Sequence, residues 1–575
     1  MSSAPARAMP AAAPEAGVRA AASARPWWRS LEMATAGLFV VLYLLPLGWR
    51  PLFVPDEIRY AEIPREMLAS GDWVVPRLDG LRYFEKPALG YWLNALSIAA
   101  FGENRFAVRL PAALATGLTA LVIAWLVAAR TRDRRLAALA ALAFLSSLAV
   151  AGIGTSAILD PFLCLFLTAT LACFFEASAS PPASRRERTL LVLAGVACGL
   201  AFLTKGFVAV AIPALVAAPY LVWQRRWRDL FRMAWAPAAA ALLVALPWSL
   251  LIHWRESGFW SYFFWHEHVQ RFLSARGAQH PEPWWFYLQT APGLLLPWSL
   301  FIPAAAIGWR RAPLPEARDL FRFSLCWVVP PFVLFSASTG KLLTYVLPLF
   351  PAFAILVSLG LACCARSERP RAARAGAAAG AALFAVGAIA LVAAPSSAQR
   401  VELFGSAWKL VAMAAALGLA AVLLAVAARR APRMDALLVV GLAPVALLLA
   451  FQGALPELVL EVKAPGGFLA RHRSEVTPET IVLSSSDTVR AACWTFRRDD
   501  VFLVESAGEL AYGIANDESG GRLLDLGAAA RLIERHRGHV VLVARPSKYD
   551  YWRPLLPPPV SEDRQGSGGY VFVRY

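Results

Sequence analysis

Charge is scarce in this sequence. Only 17% of its 575 residues are Asp, Glu, Lys or Arg, against about 25% in an ordinary soluble protein, while 58% are hydrophobic and the mean hydropathy is +0.53. That deficit excludes a soluble enzyme. Cysteine is scarce as well: there are seven, without CxxC spacing, and six of them lie in or beside apolar runs, with Cys493 apart. Neither a zinc motif nor a disulfide framework can be built from that set. No Gly-rich phosphate loop is present, which argues against a nucleotide-sugar site of that kind. The start of the chain has no clear signal-peptide cleavage pattern, so the first apolar run is read as a retained anchor. A net charge of +17 would suggest nucleic acid in a soluble chain, but no DNA- or RNA-binding motif accompanies it. The cations sit in short loops between apolar runs, where topology and anionic lipid head groups account for them.

What is abundant is the apolar run of membrane-crossing length. Spans are expected near residues 31–49, 108–129, 136–154, 159–177, 189–204, 207–223, 233–252, 288–308, 320–338, 343–364, 376–394, 407–428 and 434–454, each of about 16–22 residues, enough to cross a ~30 Å hydrocarbon core. The expected architecture is an all-α polytopic membrane protein of about 13 spans over 31–454, with a small C-terminal α/β domain over 455–575. The Ala/Pro-rich segment 1–30 reads as a disordered cytoplasmic N-terminus. In the tail, short apolar runs at 480–483, 501–504, 539–543 and 570–573 suggest strands, and 523–536 suits a helix.

Orientation follows the Lys/Arg excess. Basic loops such as Arg130–Arg135, Arg185–Arg188 and Arg225–Arg228 alternate with loops of mixed charge, so they are placed in the cytoplasm. The two long loops, 50–107 and 253–287, and the tail then face outward. The first long loop collects Asp56, Glu57, Arg59, Glu62, Arg65, Glu66, Glu85 and Lys86 among Tyr60, Trp73, Tyr83 and Trp92. Carboxylates, cations and aromatics gathered on one face of a bilayer suit sugar–phosphate chemistry at the membrane surface.

The stretch Pro55–Leu96, with Pro-Asp-Glu at 55–57, Arg59-Tyr60 and Phe84-Glu85-Lys86-Pro87, resembles the lipid A aminoarabinose transferases, within the protein-O-mannosyltransferase-like membrane glycosyltransferases of GT-C type. Leu159-Asp160-Pro161, Leu203-Thr204-Lys205-Gly206 and Ser338-Thr339-Gly340-Lys341, followed by Thr344-Tyr345, are similar to that family too. The resemblance implies a polyprenyl-phosphate sugar donor, an acceptor such as lipid A, and transfer outside the inner membrane. The same fold acting on another sugar or acceptor is the alternative, and a transporter or lipid flippase is a third reading. A transporter should carry ionisable groups near midspan, whereas here they cluster toward one outer face.

The resemblance makes Asp56 and Asp160 the candidate catalytic carboxylates. From position alone, each is equally suited to cap a helix starting at the next residue, and for Asp160 both roles together are expected. Arg59, Lys86, Lys205 and Lys341 are the candidate cations for the donor phosphate. Tyr60, Tyr83 and Tyr345 are assigned to substrate binding beside them. Glu85-Lys86 reads alternatively as a surface ion pair, and Lys205 and Lys341 as interfacial lysines. His253 and the run His266-Glu267-His268 are read as solvated, the commoner state of loop histidines, with a divalent metal between His266 and Glu85 as the alternative. The tail is expected to cover the site or meet the acceptor, not to supply reacting groups.

Overall fold

The computed structural model describes residues 31–270, 280–367, 370–393, 403–517, 520–566 and 568–575; the segment 1–30 therefore lies outside the described residues. The chain is a helical membrane bundle carrying a small sheet domain. Among the described residues nine helices are long and apolar enough to cross a membrane, and two bent pairs raise this to eleven. Two of the thirteen expected spans fall on shorter apolar helices, Leu31–Leu44 and Val208–Trp223.

The bent pairs depart from the straight spans expected at 136–154 and 288–308. Arg134–Leu145 and Leu148–Gly154 meet at 68°, Phe286–Leu294 and Trp298–Arg311 at 98°. At the first break the Ser146 and Ser147 hydroxyls bond back to the carbonyls of Leu142 and Ala143, a local alternative to the helical ladder. At the second, Pro297 supplies no N–H to continue it. Close packing needs small residues elsewhere. A Cβ on Gly195 or Gly199 would collide with backbone of Pro237 or Ala241, so this Gly-xxx-Gly pair lets helix Arg185–Lys205 seat directly on helix Trp235–Arg255.

The first long loop is folded. It carries helices Asp56–Ser70 and Leu89–Phe101 with an antiparallel hairpin between them, β1 (Arg77–Leu78) and β2 (Leu81–Arg82). The hairpin turns at Asp79 and Gly80, both at positive φ, which is the type I′ pattern. The second loop packs on the first: Phe84 meets Phe259 at 5.1 Å between ring centroids.

In the tail six strands line up as β5-β4-β3-β6-β8-β7. They are β3 (Ile481–Ser484), β4 (Phe502–Val504), β5 (Leu523–Leu524), β6 (Val540–Ala544), β7 (Ser561–Arg564) and β8 (Val571–Arg574). The first four pair in parallel, and β8 and β7 close one edge antiparallel. The all-buried pattern of β6 is what a parallel strand covered on both faces requires. β5 and β7, too short or too charged to show in the apolar pattern, are the strands the sequence reading lacks.

Candidate active site

Two adjacent carboxylates start the first loop helix, and the fold separates them completely. Glu57 is 3% exposed. It accepts from Arg50 at 2.6 Å and Arg109 at 2.7 Å, and from the backbone N–H groups of Phe53 and Ala157 at 3.0 and 3.1 Å. Arg109 is wholly buried and also donates to the carbonyls of Leu47, Arg50 and Pro51. Burial pushes the Glu57 pKa up, but Arg109 and Arg50 outweigh it and hold this carboxyl far below the usual range. Helix Asp56–Ser70 is therefore pinned to the bundle at its first turn.

With Glu57 pinned inward, Asp56 points out. Its side chain is 51% exposed, and its ion partner is Arg59 at 3.4 Å, one turn on. The helix begins at Asp56 itself, after Pro55, with no side-chain cap; the capping alternative therefore does not describe this residue. Arg59 passes between the rings of Tyr60 and Tyr83, 5.9 and 5.8 Å from their centroids. It ends on Glu509 of the tail at 2.7 Å. Glu509 also accepts from Arg490 at 2.6 Å and from the Tyr83 hydroxyl at 3.3 Å. Burial alone would raise the Glu509 pKa, yet Arg59 and Arg490 hold it below the ordinary value. Burial likewise works against the charge on Arg59, and Tyr83, Glu509, Glu85 and Asp56 outweigh it. Tyr60 also stacks on Tyr91, and burial raises both phenol pKa values, keeping them protonated.

A second carboxylate–cation pair forms at the ends of two membrane helices. Asp160 opens helix Asp160–Ser178 without a side-chain cap, so of the two roles expected for it the capping one is not filled. Its carboxylate instead takes the Lys205 ammonium at 2.7 Å. That ammonium lies 4.7 Å from the Tyr345 ring centroid. The two sets are neighbours: Gly90 lies against Leu159, which precedes Asp160, and Tyr91, next to Gly90, stacks on Tyr60 of the first set.

Lys86 and Glu85 are not a surface pair. Glu85 is 5% exposed and acts on the charge of Arg59 and the phenol of Tyr83. Lys86 meets Glu267 of the second loop at 3.3 Å. Lys341 is not brought into the cluster: it is buried, with its ammonium on the carbonyls of Glu282 and Ser338. His266 stacks on Tyr262, half exposed, with Nδ1 3.8 Å from Glu267. Among the described residues no three His, Cys, Asp or Glu side chains are grouped to hold a metal ion.

Four residues central to this geometry were absent from the sequence-level site: Glu57, Glu267, Glu509 and Arg490. Glu57 and Glu267 stood inside motifs already singled out. Arg490 left one faint signal, a charge on the otherwise apolar run Val489–Cys493. Glu509 left none.

Comparison with known proteins identifies the family. Residues 33–263 match the family model of dolichyl-phosphate-mannose-protein mannosyltransferases, and 460–573 match that of the arabinosyl transferase ArnT C-terminal domain. The undecaprenyl phosphate-alpha-4-amino-4-deoxy-L-arabinose arabinosyl transferase of Shewanella sediminis is 38% identical over 517 residues, covering 88% of this chain and 92% of that protein. The protein of the same name from Pseudomonas aeruginosa is 39% identical, covering 91% and 93%. Among solved structures, ArnT from Cupriavidus metallidurans bound to undecaprenyl phosphate superposes with a TM-score of 0.78 at 27% identity, covering 94% of this chain and 97% of that one. An archaeal oligosaccharyltransferase shares the fold at 13% identity, with a TM-score of 0.52.

Proposed function

The chain belongs to the undecaprenyl phosphate-alpha-4-amino-4-deoxy-L-arabinose arabinosyl transferases, a family of membrane glycosyltransferases, and we propose that it moves 4-amino-4-deoxy-L-arabinose from undecaprenyl phosphate to a lipid A phosphate on the periplasmic side of the inner membrane. What supports this reading is that two carboxylate–cation pairs, Asp56–Arg59 and Asp160–Lys205, stand near one another at the ends of their helices. Lipid-linked sugar is the donor available there, because nucleotide sugars are made in the cytoplasm.

In this mechanism an acceptor oxygen attacks the anomeric carbon while the bond from that carbon to the donor phosphate oxygen breaks. Undecaprenyl phosphate leaves with the bonding electron pair, and one displacement inverts the centre. Negative charge grows on the departing oxygen, so fixed cations lower the barrier. Lys205 and Lys86 serve that role, with Tyr345 beside Lys205 and Arg59 nearer to Asp56. Each cation already has a carboxylate partner, so the site is held in place before substrate arrives, and donor phosphate has to share those cations. Asp56 takes the proton of a hydroxyl acceptor; with an already ionised phosphate it orients the acceptor or stabilises charge on the ring. Lys341 acts by fixing the loop next to Tyr345.

Mass spectrometry of lipid A from cells with and without the chain tests the reading. Aminoarabinose on lipid A phosphate only in its presence supports it. Unchanged lipid A, with the sugar on another glycan or on protein, shifts the acceptor and keeps the enzyme class.

A further inference from the structure

The tail sheet is doubly wound about β3: β4 and β5 lie on one side and β6 on the other, all parallel. Open α/β sheets of this kind bind ligands beyond the carboxyl ends of their strands, where the strand order reverses. Arg490 lies in the first turn of helix Val489–Phe496 after β3, and Glu509 lies in the loop after β4. The tail thus turns its binding edge toward the membrane site and inserts two charged side chains there.

Glu509 stands where its charge decides the partner of another residue. Both of its oxygens lie near one Arg59 nitrogen, at 2.7 and 2.8 Å. The Arg59–Asp56 contact is longer, 3.4 Å, and half exposed on the Asp56 side. Arg59 and Arg490 are each less than a tenth exposed, and both keep a buried Nε without a hydrogen-bond partner. Without the Glu509 charge, two buried guanidinium groups would face one another without the carboxylate between them, and Arg59 would turn to the carboxylate it already contacts, Asp56.

We propose that Glu509, held by Arg490, is a positioning residue of the transfer site: it draws Arg59 away from Asp56 and leaves that carboxylate free for the acceptor. The tail is then part of the active site as well as a cover. This rests on Asp56 acting in transfer, as given above.

The test is the purified full chain with a Glu509→Gln substitution, which preserves shape and removes charge. Release of undecaprenyl phosphate from the aminoarabinose donor in the presence of lipid A is the readout. The expected result is a kcat lower by up to about 10²-fold, what misplacing a reacting group by about 1 Å can cost, with the KM for donor within about twofold. Arg522→Gln is the control. It breaks a contact between the tail and Asp79 away from the site, so it should lower the thermal midpoint and leave kcat near wild type. A Glu509→Gln enzyme with wild-type kcat overturns the proposal. So does a loss of activity that Arg522→Gln reproduces in proportion to its midpoint.

A structure of the Glu509→Gln protein gives a readout independent of activity. Arg59 should close on Asp56 as a two-pronged pair; an Arg59 that stays in place overturns the proposal. Failure of the wild type to use this donor would instead count against the assigned reaction, and the Arg59 position would still decide the role of Glu509.

Discussion

Asp56 and Glu57 are neighbours in sequence with opposite surroundings. Glu57 faces the bundle, with two arginines and two backbone donors on it and almost no exposure. Asp56 faces outward, half exposed, with one long ion pair. The difference shows how a membrane enzyme can divide charge within a single helical turn. One carboxylate is neutralised so fully that it serves as an anchor, and the other is left accessible while its neighbour holds the helix still. The same division recurs in the cations. Lys341 is buried against loop carbonyls, while Lys205 bridges Asp160 and the face of Tyr345.

The sharpest way to break this comparison is to remove the exposed carboxylate. Asp56→Asn should lower sugar transfer to lipid A phosphate by about 10²–10³-fold, the range for removing one group that stabilises charge in the transition state, with normal expression, as measured by release of undecaprenyl phosphate.

Glu57→Gln should act on the other side of the comparison. It leaves Arg50 and Arg109 buried beside an uncharged amide, and breaking such a pair costs about 3–5 kcal/mol, readable as a lower thermal midpoint. Because the Glu57 pKa is depressed in the folded chain, its stabilisation is fully present above its unfolded value of about 4.3. It is lost as the pH falls from there toward the folded value. The midpoint of the wild type should therefore drop in that acid window, and that of Glu57→Gln should drop less.

Lys205→Ala removes the cation proposed to face the departing phosphate and should reduce turnover by roughly 10²-fold, a charge-stabilisation effect. Expression should fall far less; a parallel loss of both would make Lys205 a structural partner of Asp160.

The last of these predictions concerns the seat of the tail. Asp79 accepts from the Val501 N–H, Arg522 and Cys493, and burial pushes its pKa up to about 7 in spite of Arg522. A carboxyl whose folded pKa is raised binds a proton that the unfolded chain has lost. Stability should therefore decline as pH rises from about 4 to 7, by at most roughly 1.4 kcal/mol per pH unit. Thermal midpoints across that window should slope downward in the wild type and be flatter in Asp79→Asn.

Much of this was legible in the sequence, for identifiable reasons. Apolar runs of about 20 residues can only be membrane helices, and Asp56, Asp160 and Lys205 sit in short motifs at the ends of such runs. The two bends were not legible, because a run broken by Ser146-Ser147 or Pro297 has the same hydropathy as a straight one. Nor was the inward or outward choice between Asp56 and Glu57, since that depends on Arg109, some fifty residues away. Glu509 was beyond reach: it joins the site across about 450 residues of chain, and no local pattern reports such a pairing. Cys493, the one cysteine of the tail, is fully buried and so cannot report on its sidedness by labelling. The sidedness of the tail is better probed at exposed Glu534, where a Glu534→Cys protein in intact spheroplasts should react with an impermeant thiol reagent.

The division between anchor and working group is tested most directly by measuring transfer rate and thermal midpoint side by side in purified Asp56→Asn and Glu57→Gln proteins. Asp56→Asn is expected to keep the wild-type midpoint and lose transfer. Glu57→Gln is expected to melt earlier and still transfer sugar below its midpoint. A stable Asp56→Asn enzyme that transfers at the wild-type rate, or a Glu57→Gln protein with wild-type midpoint and no transfer, would contradict it.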